Sequence, residues 1–375
     1  MNILFEPAKI KNMELRNRFV RSATYDACAQ SSGQVSDAQI KLFADLASGG
    51  GGLIVTGITY VHRSGQNLPF QNSIAGDDFI PGLKRLTAAV HDRGAKIAVQ
   101  LFHAGRERAR FLEDKNKQAM APSFVYDDPY FTAEYRTMTE EEIWNIVQAF
   151  GKAARRAREA DFDAVQVHGA HAFLFSQFLS PFTNHRNDDW GGALENRLHF
   201  HHEVYRNIRE NVGDDYPILI KIGVQDGFAR GLELGEGKVA ARLLAQWGFD
   251  ALEISQGLRG KPYAETEYRT KINRLNQEAY FRQWCTEIKN AVSVPVMMVG
   301  GLRTFELMEE IIQNKEADFI SLCRPFIREP GIVNHWKRGD RHRAKCISCN
   351  KCLEAAREGE ALHCVQQKFE DKRQT

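Results

Sequence analysis

The sequence predicts an α/β protein with the fold of a single-domain (β/α)8 TIM barrel, on three observations. Eight short apolar runs alternate with longer amphipathic segments along the 375 residues. The runs are rich in Val, Ile and Leu without strict alternation, which is typical of parallel strands covered on both faces. A doubly wound open sheet is the alternative, but no glycine-rich phosphate turn follows the first run, which disfavours it.

Each apolar run predicts one strand. In chain order the runs cover residues 17–25, 51–57, 95–105, 162–171, 217–224, 249–257, 294–301 and 317–326. The segments between them predict helices, and 139–160 opens with Thr139 and Glu142 in a capping-box pattern. Residues 103–139 are long for a loop between a strand and a helix. We expect this active-site loop to lie over the C-terminal face of the barrel, where active sites of this fold are found.

Charge and composition disfavour several classes of partner. The chain has 50 basic and 48 acidic residues, a net charge of +2, so no overall field attracts nucleic acid or an anionic membrane. The sequence opens without a signal-peptide pattern, and no apolar run reaches the ~18 residues that span a bilayer. We expect a cytoplasmic homo-oligomer that acts on a small-molecule substrate, with no nucleic-acid or membrane partner.

Polar side chains occur where the predicted strands end, which is where barrel enzymes place catalytic and ligand-binding groups. Each one alone could be a satisfied interior group, but six at matching positions favour a site: Gln100, His103, His168, His171, Lys221 and Arg324. A buried ammonium such as Lys221 needs an anion or a strong acceptor. The residues that follow the seventh and eighth strands predict a phosphate site made of Gly300, Gly301, Cys323 and Arg324.

His168 and His171 stand close together at the end of the fourth predicted strand. A catalytic metal usually takes at least three protein ligands, and the neighbouring strand ends offer no Asp or Glu in the right place. We therefore predict that the two imidazoles donate hydrogen bonds to an anionic or carbonyl oxygen and do not bind a metal.

Seven segments, together covering nearly the whole chain, resemble the Old Yellow Enzyme family of flavin-dependent ene-reductases. The most specific is HGAHAFLFSQFLSPFTNHRNDDWGG, and the others are LRNRFVRSATY, GGGGLIVTG, VQLFHAGR, ILIKIG, VMMVGG and ISLCRPFIREP. The resemblance implies that residues 1–335 form a barrel that binds FMN without a covalent bond at its C-terminal face. Residues 336–375 are then a C-terminal extension with a cysteine cluster.

The resemblance also assigns roles to single residues. The flavin edge is lined by Ser22, Ala23 and Thr24, its pyrimidine portion by Gly57 and Gln100, its N1 and O2 by Lys221, and its phosphate by Gly300, Gly301, Cys323 and Arg324. NAD(P)H reduces FMN, and flavin N5 then gives hydride to the β-carbon of an activated C=C bond. His168 and His171 hold and polarise the activating group of the substrate. Arg197 is assigned to a salt bridge that anchors a helix.

The chain departs from the family at residue 173, where relatives carry the tyrosine that donates a proton. Phe173 cannot donate, and general acid catalysis typically contributes ~10²–10⁴-fold. We predict that Tyr25 either donates this proton or tunes the flavin. The alternatives are a dehydrogenase or demethylase of an amine or ring substrate that passes electrons to an external partner, an electron-transfer module, and a colourless aldolase that uses Lys221.

The C-terminal extension contains a cysteine pattern, C-x2-C-x2-C-x11-C, formed by Cys346, Cys349, Cys352 and Cys364. It resembles the [4Fe–4S] loop of a family branch that includes 2,4-dienoyl-CoA reductase and trimethylamine dehydrogenase. Three thiolates in one loop with a distant fourth suit a cubane, whereas zinc sites more often use two separated pairs. A [4Fe–4S] cluster, zinc and no metal all stay open. Because the chain stops at Thr375, we expect a cluster to need an external electron partner or to be structural.

Overall fold

The structure is a computed structural model that describes residues 2–111, 118–261 and 266–368. Within these residues eight parallel strands close into a barrel, which confirms the predicted fold, and each apolar run overlaps one of them. In chain order the strands are β1 (Ala8–Ile10), β2 (Met13–Leu15), β3 (Phe19–Arg21), β4 (Leu53–Tyr60), β5 (Lys96–Phe102), β6 (Ala119–Ala121), β7 (Tyr135–Thr137), β8 (Ala164–Gly169), β9 (Ile218–Gly223), β10 (Ala251–Ser255), β11 (Val296–Met298) and β12 (Phe319–Leu322). Outside the barrel, β1 pairs with β2 and β6 pairs with β7.

Helices surround the barrel. They are α1 (Asp37–Ser48), α2 (Ile80–His91), α3 (Glu140–Glu159), α4 (Leu174–Leu179), α5 (Leu194–Arg197), α6 (His199–Val212), α7 (Leu234–Trp247), α8 (Arg282–Lys289), α9 (Phe305–Gln313), α10 (Arg324–Arg328), α11 (Ile332–Lys337) and α12 (Lys351–Arg357). The predicted capping box opens α3, because the Thr139 hydroxyl accepts from the Glu142 N–H at 3.2 Å and the Glu142 carboxylate accepts from the Thr139 N–H at 2.9 Å. No helix of the described ranges is long and apolar enough to cross a bilayer.

The interior of the barrel has two layers of side chains with different chemistry. Near the strand starts lies an apolar layer of Val20, Leu53, Ala98, Ala164, Leu219, Ala251, Met297 and Phe319. Two residues further along the chain, most of these strands carry a polar side chain, namely Ser22, Gln100, Gln166, Lys221, Glu253 and Ser321. Because side chains alternate along a strand, residues two apart face the same way. The polar layer therefore forms the floor of the C-terminal end of the barrel.

The N-terminal end of the barrel is plugged by the hairpin of β1 and β2. Ile10, Met13 and Leu15 of this hairpin are buried in the same cluster as the apolar layer. The antiparallel pairing places Ile10 opposite Met13, so both side chains reach the barrel together. Apolar packing thus closes one end, and the polar layer faces the other end.

The C-terminal extension packs back onto the barrel. Helix α11 runs across the predicted boundary at residue 335. After α11, the Ala344 carbonyl accepts from the Arg303 guanidinium at 3.0 Å, and the Leu362 N–H donates to the Asp26 carbonyl at 2.8 Å. These bonds hold the extension over the C-terminal face of the barrel.

Candidate active site

A cavity of about 650 Å³ lies at the C-terminal end of the barrel. This volume is within the range of small-molecule and cofactor sites. Most of the residues singled out from the sequence line it, namely Ser22, Ala23, Thr24, Tyr25, Gln100, His168, His171, Lys221, Gly300, Gly301, Cys323, Arg324, Cys346 and Cys352. Gly57, Cys349 and Cys364 are not among the lining residues. Gly57 packs behind the wall, where an added Cβ would stand 2.8 Å from the Thr24 carbonyl oxygen.

Lys221 projects from the middle of the polar layer. Strand register places it beside His168 of β8 on one side and beside Glu253 of β10 on the other. Its ammonium donates to the Ser22 hydroxyl at 2.8 Å and lies 3.3 Å from Glu253 Oε2. Glu253 is fully buried, so it is the anion that a buried ammonium at this position requires.

Glu253 is a buried member of this polar layer that was not predicted from the sequence. Its carboxylate also accepts from the Ser22 hydroxyl at 2.7 Å and from the Gln166 amide at 3.0 Å. Gln166 in turn accepts from the Gln100 amide at 2.7 Å. This chain of bonds fixes the orientation of all five side chains beneath the cavity, including Lys221. A lone acidic residue inside the apolar run ALEIS was the available signal.

The corner of the cavity predicted to hold a phosphate combines glycine backbone with a cation. Gly300 and Gly301 have φ of +127° and +73°, and an added Cβ would stand 3.0 and 2.8 Å from the Tyr280 ring. Arg324 begins α10 and lines the same cavity. A bound anion would find backbone and a guanidinium here.

His168 and His171 form one wall of the cavity, with ring centroids 4.9 Å apart and planes nearly perpendicular. Burial, the two imidazoles' mutual repulsion and Lys221 hold the pKa of His168 well below its usual range, and burial and Lys221 do the same for His171. Both rings are therefore neutral at pH 7. The His168 Nδ1 atom accepts from the Ala170 N–H at 3.3 Å, so its proton is on Nε2. His171 Nε2 lies 2.8 Å from the Ser255 hydroxyl.

Phe173 packs next to this histidine pair. Its ring stands 5.0 Å from the His168 ring and 4.6 Å from Phe102, and the Arg259 guanidinium lies 5.4 Å from its centroid. Arg259 is paired with Glu267 at 2.7 Å and with Glu107 at 3.3 Å. These carboxylates outweigh burial and raise the pKa of Arg259, so it stays charged. This ion-pair group lines the cavity beside the histidine pair and was not predicted from the sequence.

Tyr25 lines the cavity, and its hydroxyl donates to the Pro69 carbonyl. Burial and the nearby Asp26 raise the pKa of Tyr25 well above its usual value. Its phenol is therefore neutral and carries a proton. Whether it is the acid of the reaction stays a prediction.

The two loops expected over the site contribute to it. The long loop supplies Arg106, Glu107, Arg110 and Tyr130, and its residues 112–117 lie outside the described residues. His103, at its start, does not line the cavity. It is buried against the Ser64 hydroxyl at 2.9 Å, and burial lowers its pKa to about 3. Arg197 pairs with Glu236 and donates to the Leu179 carbonyl at 2.6 Å, the anchoring role expected of it.

Two of the four cysteines of the extension line the cavity, and the other two are hydrogen-bonded to neighbouring side chains. Cys346 and Cys352 line the cavity, whereas the Cys349 thiol accepts from Gln366 at 3.8 Å and the Cys364 thiol from Arg328 at 3.7 Å. Burial and the thiols of Cys323 and Cys346 raise the pKa of Cys352 to about 12. In the described ranges no three His, Cys, Asp or Glu side chains are arranged to hold a metal ion.

The residues of the cavity do fit FMN. Reduced flavin carries negative charge at N1, which a cation such as Lys221 stabilises. The phosphate needs N–H groups and a cation, and the glycine pair and Arg324 would supply them. The Ser321 hydroxyl of the polar layer lines the same cavity, has no hydrogen-bond partner among the described residues and also calls for an acceptor.

Curated relatives match this chain over most of its length. An NADH oxidase of Thermoanaerobacter brockii is 36% identical over 353 residues, 92% of this chain and 52% of the relative. An N,N-dimethylglycine/sarcosine dehydrogenase of Chromohalobacter salexigens is 29% identical over 370 residues, 97% of this chain and 52% of the relative. The chain therefore spans about half the length of these two curated relatives.

A solved structure has the same fold. A 2-naphthoyl-CoA reductase in complex with 2-naphthoyl-CoA superposes with a TM-score of 0.89 at 26% identity, over 96% of this chain and 56% of that chain. Residues 3–342 match the family described as NADH:flavin oxidoreductase / NADH oxidase. The match extends from the first turn of the chain to the start of the C-terminal extension and includes all eight barrel strands. The chain belongs to this family.

Proposed function

We propose that the chain is an FMN-dependent oxidoreductase that takes electrons from NAD(P)H and delivers them to an activated C=C bond of a small molecule. One observation carries the proposal: a buried cation, a glycine–arginine corner and a neutral histidine pair face a single cavity. Membership of the NADH:flavin oxidoreductase family supports the flavin and the reductant. The similarity to a 2-naphthoyl-CoA reductase supports reduction as the direction.

Bound FMN supplies two-electron transfer between nicotinamide and substrate. The residues of the chain bind the cofactor, orient the substrate and polarise its activating group. The His168 Nε2–H and the His171 ring offer hydrogen bonds to the oxygen of an activating carbonyl group. Because both rings are neutral and preorganised by packing, these bonds strengthen as negative charge grows on that oxygen. The Lys221–Glu253 pair keeps a fixed positive end towards the cavity.

Anaerobic spectroscopy of the FMN-loaded protein tests the proposal. NADH or NADPH is expected to bleach the flavin absorbance, and 2-cyclohexenone or a nitroalkene is expected to restore it. The double variant His168→Ala/His171→Ala should still bind FMN, but alkene should reoxidise it at least ~10²-fold more slowly, the loss typical of a missing oxyanion donor. Protein that binds no FMN, or reduced protein that no alkene reoxidises, would contradict the proposal.

A second candidate is a dehydrogenase or demethylase of an amine. Phe173 favours it, because oxidation of an amine needs no acid at that position. Similarity to an N,N-dimethylglycine/sarcosine dehydrogenase supports it too. The two candidates change the flavin in opposite directions, since an amine substrate bleaches oxidised flavin and an alkene substrate restores reduced flavin. A screen of enones, nitroalkenes and amines against both oxidation states therefore separates them.

The cysteine pattern of the C-terminal extension leads to a separate prediction about a metal centre. A [4Fe–4S] cluster would be held by the thiolates of Cys346, Cys349, Cys352 and Cys364. Protein purified without oxygen should then be brown and contain about four irons per chain. Yellow protein without iron or zinc rejects both metals. An external electron partner and a homo-oligomer are part of the same proposal, and reoxidation of the flavin by added electron acceptors and sedimentation velocity test them.

A further inference from the structure

Three segments that are distant in the chain meet at the guanidinium of Arg324. The first is the start of α10, which carries Arg324 itself. The second is the segment that contains Tyr268 and Arg269, and the third is the C-terminal extension, which brings Asn350 to the cavity. The contact is made at the corner that we assign to the flavin phosphate.

Asn350 connects the other two segments through its side chain. Its Oδ1 atom accepts from Arg324 Nη1 at 2.6 Å, and its Nδ2 atom donates to the Tyr268 carbonyl at 2.6 Å. The side chain is 5% exposed, so water competes little for these bonds. The backbone of Asn350 has φ of +61°, a left-handed conformation that asparagine tolerates better than most residues.

Within the described part of the chain, the hydrogen bonds of the Arg324 guanidinium are all made by one of its three nitrogens. Nη1 donates both to Asn350 and to the Arg269 carbonyl, the latter at 2.8 Å. Among the described residues, Nε and Nη2 of Arg324 have no protein acceptor. An arginine that is fixed at one nitrogen and free at the other two presents a preorganised fork, which suits two oxygens of a phosphate.

From this geometry, and resting on the proposed function, we propose that Asn350 is a positioning residue for the FMN phosphate. It orients Arg324 without touching the phosphate itself. The C-terminal extension thereby contributes to cofactor affinity through one amide side chain. An effect of this kind depends on the phosphate, so it must be present for FMN and absent for riboflavin.

Flavin binding to the deflavinated full chain tests this directly. Quenching of flavin fluorescence gives Kd for FMN and for riboflavin in the wild type, Asn350→Ala and Asn350→Asp. We expect Asn350→Ala to weaken FMN about tenfold, which corresponds to about 1.4 kcal/mol. Asn350→Asp should weaken FMN about 100-fold, because its carboxylate neutralises Arg324. Riboflavin affinity should change less than about twofold in both. Ile347→Ala, an exposed position of the same segment, is the matched control.

The outcomes separate the inference from the proposed function. Equal Kd values for FMN in the wild type and both Asn350 variants overturn the inference. Equal losses for FMN and riboflavin also overturn it, because they show a general disturbance of the cavity wall. Wild-type protein that binds neither flavin overturns the proposed function and the inference with it. Asn350→Gly keeps the left-handed backbone, and it replaces Asn350→Ala in the comparison if that variant does not fold.

Discussion

The buried pair of Lys221 and Glu253 should make Glu253→Gln one of the most damaging isosteric changes in the chain. Glutamine keeps the size and shape of glutamate and removes its charge. The Lys221 ammonium would then be buried without its counter-ion, 3.3 Å from a neutral amide. In the wild type, Ser22, Gln166 and Lys221 direct donors at the Glu253 carboxylate. The NH2 group of the new glutamine would face one of these donors and could not accept from it.

The magnitude follows from the distance and the burial. Two unit charges 3.3 Å apart interact by about 5 kcal/mol at an effective dielectric constant of about 20. Loss of one partner of a buried pair typically costs about 3–5 kcal/mol. Glu253→Gln should therefore lower the free energy of unfolding by about 3–5 kcal/mol. With an unfolding entropy of ~2.1 cal/mol/K per residue, the melting temperature of the 375-residue chain should fall by about 4–6 °C.

Urea unfolding of the flavin-free protein, followed by circular dichroism and tryptophan fluorescence, measures this change. Lys221→Met in the Glu253→Gln background should recover most of the loss, because it removes the uncompensated charge. Asp45→Asn is the matched control, since Lys41 and Asp45 form an exposed pair at 2.7 Å that should contribute less than ~1 kcal/mol. A Glu253→Gln protein within 1 kcal/mol of the wild type, or a double variant without recovery, would refute the reasoning.

Three further predictions concern other parts of the chain. His201 is fully buried and its pKa is lowered to about 3, so stability is lost as pH falls below the unfolded value of about 6.5. The wild type should therefore lose about 2 kcal/mol of unfolding free energy between pH 7 and pH 5 that His201→Phe does not lose, as measured by urea unfolding at both pH values. Gly301→Ala should destabilise the protein by about 1–3 kcal/mol, whereas Gly331→Ala, which has open space around it, should not. Tyr25→Phe should slow reoxidation of the flavin by alkene tenfold or more, and Phe173→Tyr in that background should restore it.

The fold could be predicted because apolar runs and amphipathic segments alternate along the whole barrel sequence. All eight strands were found in this way. The hairpin of β1 and β2 and the pair of β6 and β7 were not, since these three-residue strands do not lie within longer apolar runs, as β3 and β11 do. They are held by tertiary packing, as when Met13 and Leu15 fill the bottom of the barrel.

The site was predictable where a polar residue interrupts an apolar strand. Lys221 and His168 were found by this signal, and Glu253 and Gln166 carry the same one, since each stands two residues after an alanine that faces the barrel interior. Asn350 could not be found in this way. It lies in a segment without a period, and its contact with Arg324 depends on how the extension packs on the barrel. A sequence pattern reports which residues share a face, but not which loops meet.

The hydrogen bond from Tyr25 to the Pro69 carbonyl does not exclude Tyr25 as the acid. Release of the hydroxyl from a neutral carbonyl costs about 0.5–1.5 kcal/mol. General acid catalysis of ~10²–10⁴-fold corresponds to about 3–5 kcal/mol, so the gain exceeds the cost. The raised pKa of Tyr25 means that its proton is present throughout the neutral range. Phe173 therefore does not leave the cavity without a proton, and if water were the donor, Tyr25→Phe would leave the alkene rate unchanged.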